Sequence, residues 1–174
     1  MRGSWVFGVV MLVAGSSAFA ESGKADLVAT KAGFTASGTA TLTDTPQGLH
    51  VVVHVTKGSP GRHGLHIHQY GSCGDEGKAA GGHYNPDGVK HGFLPTDGLT
   101  GAHAGDLGNI EVSTDGTGTL DLTLQGLRLS GGKYTAGGRA IVLHEKADDF
   151  GQPTGNAGGR IGCGPIVIVG EGSP

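Results

Sequence analysis

Gly48-Leu49-His50-Val51-Val52-Val53-His54-Val55-Thr56-Lys57 is the stretch whose reading decides the fold class. Leu49, Val51, Val53 and Val55 fall on alternate positions, and a period of two puts them on one face of an extended strand. The β-branched content suits a pleated surface better than a helix. Just before it, Pro46-Gln47-Gly48 reads as a turn. Working outward, 25–32, 35–43, 63–69, 107–114, 117–125, 140–145 and 161–169 carry the same alternating or β-branched signal. Asp115-Gly116, between two of them, is a hairpin signal. No segment has a helical period that stands out. Eight short strands without helices predict an antiparallel sandwich or barrel. The long glycine-rich stretch 70–106 is predicted to be irregular, and such a loop needs something other than its own backbone to hold it.

Composition narrows the class. The chain has 36 glycines and 7 prolines in 174 residues, enough to raise the question of disorder. The glycines punctuate apolar runs without a period of three, and the charged fraction is only 16%, which excludes collagen and a solvated coil. A net charge of −3 without a basic stripe excludes a dedicated nucleic-acid binder. At the start, Arg2, the short apolar stretch Trp5 to Ala14 and Ser16-Ser17-Ala18-Phe19-Ala20 read as an export leader, residues 1–20, cleaved after Ala20. That leaves one domain, 21–174, with no membrane anchor, in an oxidising compartment. There Cys73 and Cys163 are expected to form a disulfide. The alternative, that one of them ligates a metal, has no CxxC pairing behind it.

Nine histidines are many for this length. His66 and His68 sit at i and i+2 on a predicted strand, so both rings point to one face. His83, His91 and His103 follow in the long loop, Asp106 comes three residues after His103, and His144 closes the strand Ile141-Val142-Leu143-His144. Imidazole suits copper and zinc, and three imidazoles with one carboxylate suit zinc. Spacing alone does not say which metal goes where. His50 and His54, at i and i+4 on one strand face, are read as surface residues rather than a stray metal site.

Five segments carry a resemblance: Gly64-Leu65-His66-Ile67-His68, Gly82-His83-Tyr84-Asn85-Pro86, His103-Ala104-Gly105-Asp106-Leu107-Gly108-Asn109, Val142-Leu143-His144-Glu145-Lys146-Ala147-Asp148-Asp149 and Thr154-Gly155-Asn156-Ala157-Gly158-Gly159-Arg160-Ile161-Gly162-Cys163. With Lys90-His91-Gly92, they resemble the copper/zinc superoxide dismutase family. The resemblance implies an eight-stranded antiparallel Greek-key barrel or sandwich, immunoglobulin-like, with long metal-binding and disulfide loops. It implies one copper per chain on His66, His68, His83 and His144, and one zinc on His83, His91, His103 and Asp106. His83 would bridge the two metals and, with Arg160 beside the copper channel, serve catalysis. Asp148 would hydrogen-bond His66 and His91, Cys73 would pair with Cys163, and His63 would be a structural hydrogen-bonder. The implied activity is dismutation of superoxide to oxygen and hydrogen peroxide. A copper or zinc carrier of the same fold is the alternative.

Two departures from the cytosolic pattern matter. Phe150-Gly151-Gln152-Pro153 stands where those enzymes carry a longer charged loop, and Cys73 lies five residues after His68. That placement resembles the bacterial periplasmic branch, which implies export to the periplasm (secretion being the alternative) and substrate guidance by a disulfide-loop charge, Lys78. Lys90 and Lys146 are the next candidates. The resemblance allows a homodimer.

Overall fold

The computed structural model describes residues 20–170. Residues 1–19 of the expected leader lie outside the described residues. Nine strands run β1 Ser22–Ala29, β2 Ser37–Thr45, β3 Gly48–Lys57, β4 Gly61–His68, β5 Asp106–Val112, β6 Gly118–Leu124, β7 Ala140–His144, β8 Arg160–Pro165 and β9 Val167–Val169. All pairings are antiparallel, in the order β5-β4-β7-β8-β1-β2-β3-β6, with β9 added to β1. The two end strands, β5 and β6, are joined by the turn at 113–117, so the sheet nearly closes into a barrel.

β3 shows why. Leu49, Val51, Val53 and Val55 are buried, while His54 faces outward. With Leu42, Leu65, Ile67, Leu107, Ile110, Leu124, Ile141 and Leu143 they fill the barrel. Cutting one of these leucines to alanine costs about 2 to 5 kcal/mol. His50 and His54 meet Asp121 at 2.7 Å and Thr119 at 3.0 Å across the β3–β6 ladder, as surface residues.

Three expectations needed correcting. Among the described residues one α-helix is present, α1 at Leu94–Gly101, beside a single 3-10 turn at Lys78–Ala80; α1 is short, contains Pro95 and is kinked at Gly98, whose φ is 66°, so its period is too brief to register in sequence. The expected strand 161–169 is two. Pro165 offers no N–H to a ladder, and the chain leaves β7 there to pair Val167, Ile168 and Val169 with Lys24, Gly23 and Ser22. The Asp115-Gly116 turn forms, but its flanking strands diverge, β5 pairing with β4 and β6 with β3. Among the described residues no helix is long and apolar enough to cross a membrane.

Candidate metal centre

β4 places His66 and His68, and β7, paired with it through Leu65–Leu143 and His66–Val142, ends at His144. The long loop is stitched onto the same strand. Tyr84 N–H donates to Ile67 C=O and Ile67 N–H to Gly105 C=O, both at 2.9 Å, while Gly105 N–H donates to Tyr84 C=O at 3.0 Å. These bonds set His83 on one side and His103 and Asp106 on the other. A side chain at Gly105 would collide with the Ile67 carbonyl, so the approach requires glycine. All of His66, His68, His83, His91, His103, His144, Asp106 and Asp148 are buried.

The hydrogen bonds decide where each lone pair points. His66 Nε2 donates to Asp148 Oδ2 at 2.9 Å, which leaves Nδ1 free. His68 Nδ1 donates to Gly81 C=O at 3.0 Å and His144 Nδ1 to Gly158 C=O at 3.4 Å, leaving their Nε2 atoms facing each other at 3.2 Å. His91 Nε2 donates to the Asp148 carboxylate at 3.0 Å. Its Nδ1 lies 2.9 Å from Asp106 Oδ2. Asp106 Oδ1 faces His83 Nδ1 at 2.9 Å and His103 Nδ1 at 3.1 Å. Among the described residues, His66 Nδ1 is buried with no hydrogen-bond partner, and His91 Nδ1, though beside Asp106 Oδ2, makes no hydrogen bond of good geometry. A buried imidazole nitrogen left without a hydrogen bond is expensive unless a cation takes its lone pair. Two four-residue groups result, His66/His68/His83/His144 and His83/His91/His103/Asp106, each with donor atoms within 4.8 Å of one another. One is all imidazole and the other has three imidazoles and a carboxylate, which fits copper and zinc respectively.

Burial and neighbours split the two groups electrostatically. Burial, reinforced by nearby imidazoles, lowers His68 to about 2, His144 to about 3 and His83 to about 4. Burial also pulls on His91, but Asp106 and Asp148 outweigh it and raise that ring to about 9. Burial pushes Asp106 and Asp148 up, and the hydrogen bonds they accept outweigh it, so both sit well below the usual carboxylate range.

A model of the copper/zinc superoxide dismutase (SODC) family matches residues 36–166. The chain belongs to that family. It is 45% identical over 118 residues to an extracellular superoxide dismutase [Cu-Zn] of Caenorhabditis elegans, covering 64% of this chain and 52% of that one. It is 44% identical over 118 residues to superoxide dismutase [Cu-Zn] 2 of Brassica juncea, covering 64% and 75%. The chain thus spans about half the length of the nematode relative. Its fold is similar to the crystal structure of the clock protein EA4, with a TM-score of 0.74, 38% identity, and 85% and 94% of the two chains covered.

The rest of this copper/zinc superoxide dismutase domain frames the two groups. Cys73 and Cys163 form a disulfide that ties the loop to β8. Arg160, on the same strand, donates to Gly77 C=O and Gly81 C=O at 2.5 Å each. It lines a cleft of about 200 Å³ with His68, His83, His144 and Asn156. Lys78 is exposed nearby, 3.8 Å from Asp75. Lys90 and Lys146 are exposed too. His63 spans His144 C=O and Ser59 C=O, 2.8 Å from each.

Three residues that sequence reading passed over also serve the site. Asn109 holds the Asp148 backbone in both directions, donating to its carbonyl at 2.9 Å and accepting from its N–H at 2.7 Å. Gln152 does the same for His91. Gly155, with φ 74°, packs against Asp148 Oδ1 where a Cβ would overlap it. The mutual spacing of an amide and its partner gave no sequence signal.

Proposed function

We propose that this chain dismutes superoxide, turning two superoxide anions and two protons into oxygen and hydrogen peroxide. The observation that carries the reading is His83, a member of both donor groups and a wall of the Arg160 cleft. In this reading His66, His68, His83 and His144 hold copper, while His83, His91, His103 and Asp106 hold zinc. Bound copper supplies the reversible one-electron chemistry that dismutation needs and that zinc lacks. His83 Nδ1 is turned to Asp106, on the side where zinc would sit, so Nε2 is the atom that would hold a proton and give it to the departing peroxide. Arg160, fixed by two carbonyls, attracts and orients the small anion at the cleft. Asp148 keeps His66 and His91 in the ligating tautomer.

The finer placement is in the exported, bacterial periplasmic branch, with residues 1–20 as leader and 21–174 as the mature domain. The position of Cys73 supports the branch, while the disulfide and the relative described as extracellular support export alone. Lys78 is the proposed guiding charge. A homodimer is the proposed assembly, since Val28, Val167 and Ile168 leave large apolar side chains exposed on neighbouring strands. The test is metal content and superoxide decay measured together on the mature chain. One copper and one zinc with rapid turnover is the expected result. Tight metal binding without turnover would mean a carrier instead.

A further inference from the structure

The loop after Asp148 holds His91 twice, once by the ring and once by the backbone. Asp148 takes the ring through Nε2 at 3.0 Å. Four residues on, His91 N–H donates to Gln152 Oε1 at 3.0 Å, and Gln152 Nε2 donates to His91 C=O at 2.8 Å. Among side chains in their usual state at neutral pH, a primary amide is what offers an acceptor and a donor side by side in this way. His91 belongs to no strand or helix, and among the described residues no other backbone group bonds its N–H or C=O. The Phe150 ring lies nearly parallel to the His91 ring, with centroids 6.4 Å apart, and Phe93 packs against Phe150 at 6.0 Å. The segment 149–153 carries no cation to guide an anion, and its side chains instead cover and grip one zinc-side donor.

We propose that Gln152 is a positioning residue for zinc, setting the direction of His91 Nδ1 by clamping the His91 backbone. This rests on the reading that His91 takes zinc. With the ring's far nitrogen pinned by Asp148, the backbone is what remains to fix where Nδ1 points. The clamp removes that freedom. Losing it lets Nδ1 drift from the point shared with His83, His103 and Asp106, and zinc leaves faster.

The experiment uses the metal-loaded protein and three variants. Gln152→Met keeps length and removes both bonds, Gln152→Glu keeps only the acceptor, and Asn156→Gly loosens the same loop by removing its bonds to Asp149 while sparing the clamp. Zinc release to a chromophoric chelator should be roughly 10-fold faster in Gln152→Met, intermediate in Gln152→Glu, and within about twofold of the parent in Asn156→Gly. The visible bands of cobalt(II) in the zinc position should shift in the same order. Parent-like release and spectra in Gln152→Met would overturn the proposal, as would Asn156→Gly matching it, because loop order alone would then explain the effect. If Gln152→Met does not fold, Gln152→Glu against Asn156→Gly makes the same comparison. A parent that takes up neither zinc nor cobalt overturns the site assignment itself, which separates that failure from failure of the clamp.

Discussion

On one side of His83 the donor atoms are imidazoles alone; on the other they are imidazoles with Asp106, and Asp148 stands behind both through His66 and His91. The first group gains its free lone pairs by desolvation, which holds His68, His83 and His144 far below the ordinary imidazole value of 6.5. The second gains order by charge, with two carboxylates gripping His91 so firmly that without metal it holds its proton up to about pH 9. Neutral donors suit an ion whose charge changes in each turnover, because none of the four donor groups carries a fixed charge of its own. A carboxylate suits an ion whose charge never changes. His83 belongs to both regimes, and that is what makes it the link.

The most drastic way to break this contrast is to remove the shared residue. His83→Ala should lower superoxide decay by on the order of 100-fold or more while three imidazoles still hold copper. Near-parent turnover in a fully metallated variant would remove His83 from the mechanism. Next in size, Asp148→Asn keeps the shape and withdraws the charge between the groups. Zinc affinity should fall roughly 10-fold to 100-fold by chelator competition, with copper less affected. Equal losses of both metals would mean the two sides are not electrostatically distinct.

A third test reads the contrast in the metal-free protein by thermal unfolding against pH. His68, His83 and His144 are harder to protonate folded than unfolded, so their contribution is complete above 6.5 and is lost as pH falls from there toward 4 and below. His91 has the opposite sign: its contribution is complete below 6.5 and is lost as pH rises through about 9. Stability should therefore peak near neutrality, and metal should flatten the curve. A monotonic rise toward alkaline pH would deny His91 its carboxylate grip. The smallest effect is at the rim. Lys78→Glu should slow the bimolecular rate by a factor of about two at low ionic strength, and added salt should shrink the gap, since Asp75 already offsets much of that charge. An unchanged salt dependence would shift guidance to Lys90 or Lys146.

How much of this could be read from residues depended on how rare each signal is. The alternation from Gly48 to Lys57 gave β3 to the residue, because one face is buried and the other is not. The six clustered histidines and Asp106 were legible because imidazoles in such number and order have few other uses. Leu94–Gly101 escaped because two glycines and a proline mask eight helical residues. β9 escaped because Val167–Val169 continues the apolar run of β8, and only Pro165 hints at the change of partner. Gln152 and Asn109 escaped for a different reason. Loop amides are ordinary, and nothing local says that the backbone each one grips lies 61 or 39 residues away.

Gly155 gives the metal centre its least visible constraint. Asp148 occupies the volume where any other residue's Cβ would stand, and φ at this position is 74°. A residue with no functional group therefore tolerates as little as the proposed ligands do: Gly155→Ala should push Asp148 off both His66 and His91. In a saturation mutagenesis screen for metal retention, position 155 should score alongside the histidines, and neighbouring Thr154, exposed at the cleft rim, should accept more substitutions. The evolutionary freedom of this loop is thus set residue by residue, by the space left over once a carboxylate has been placed.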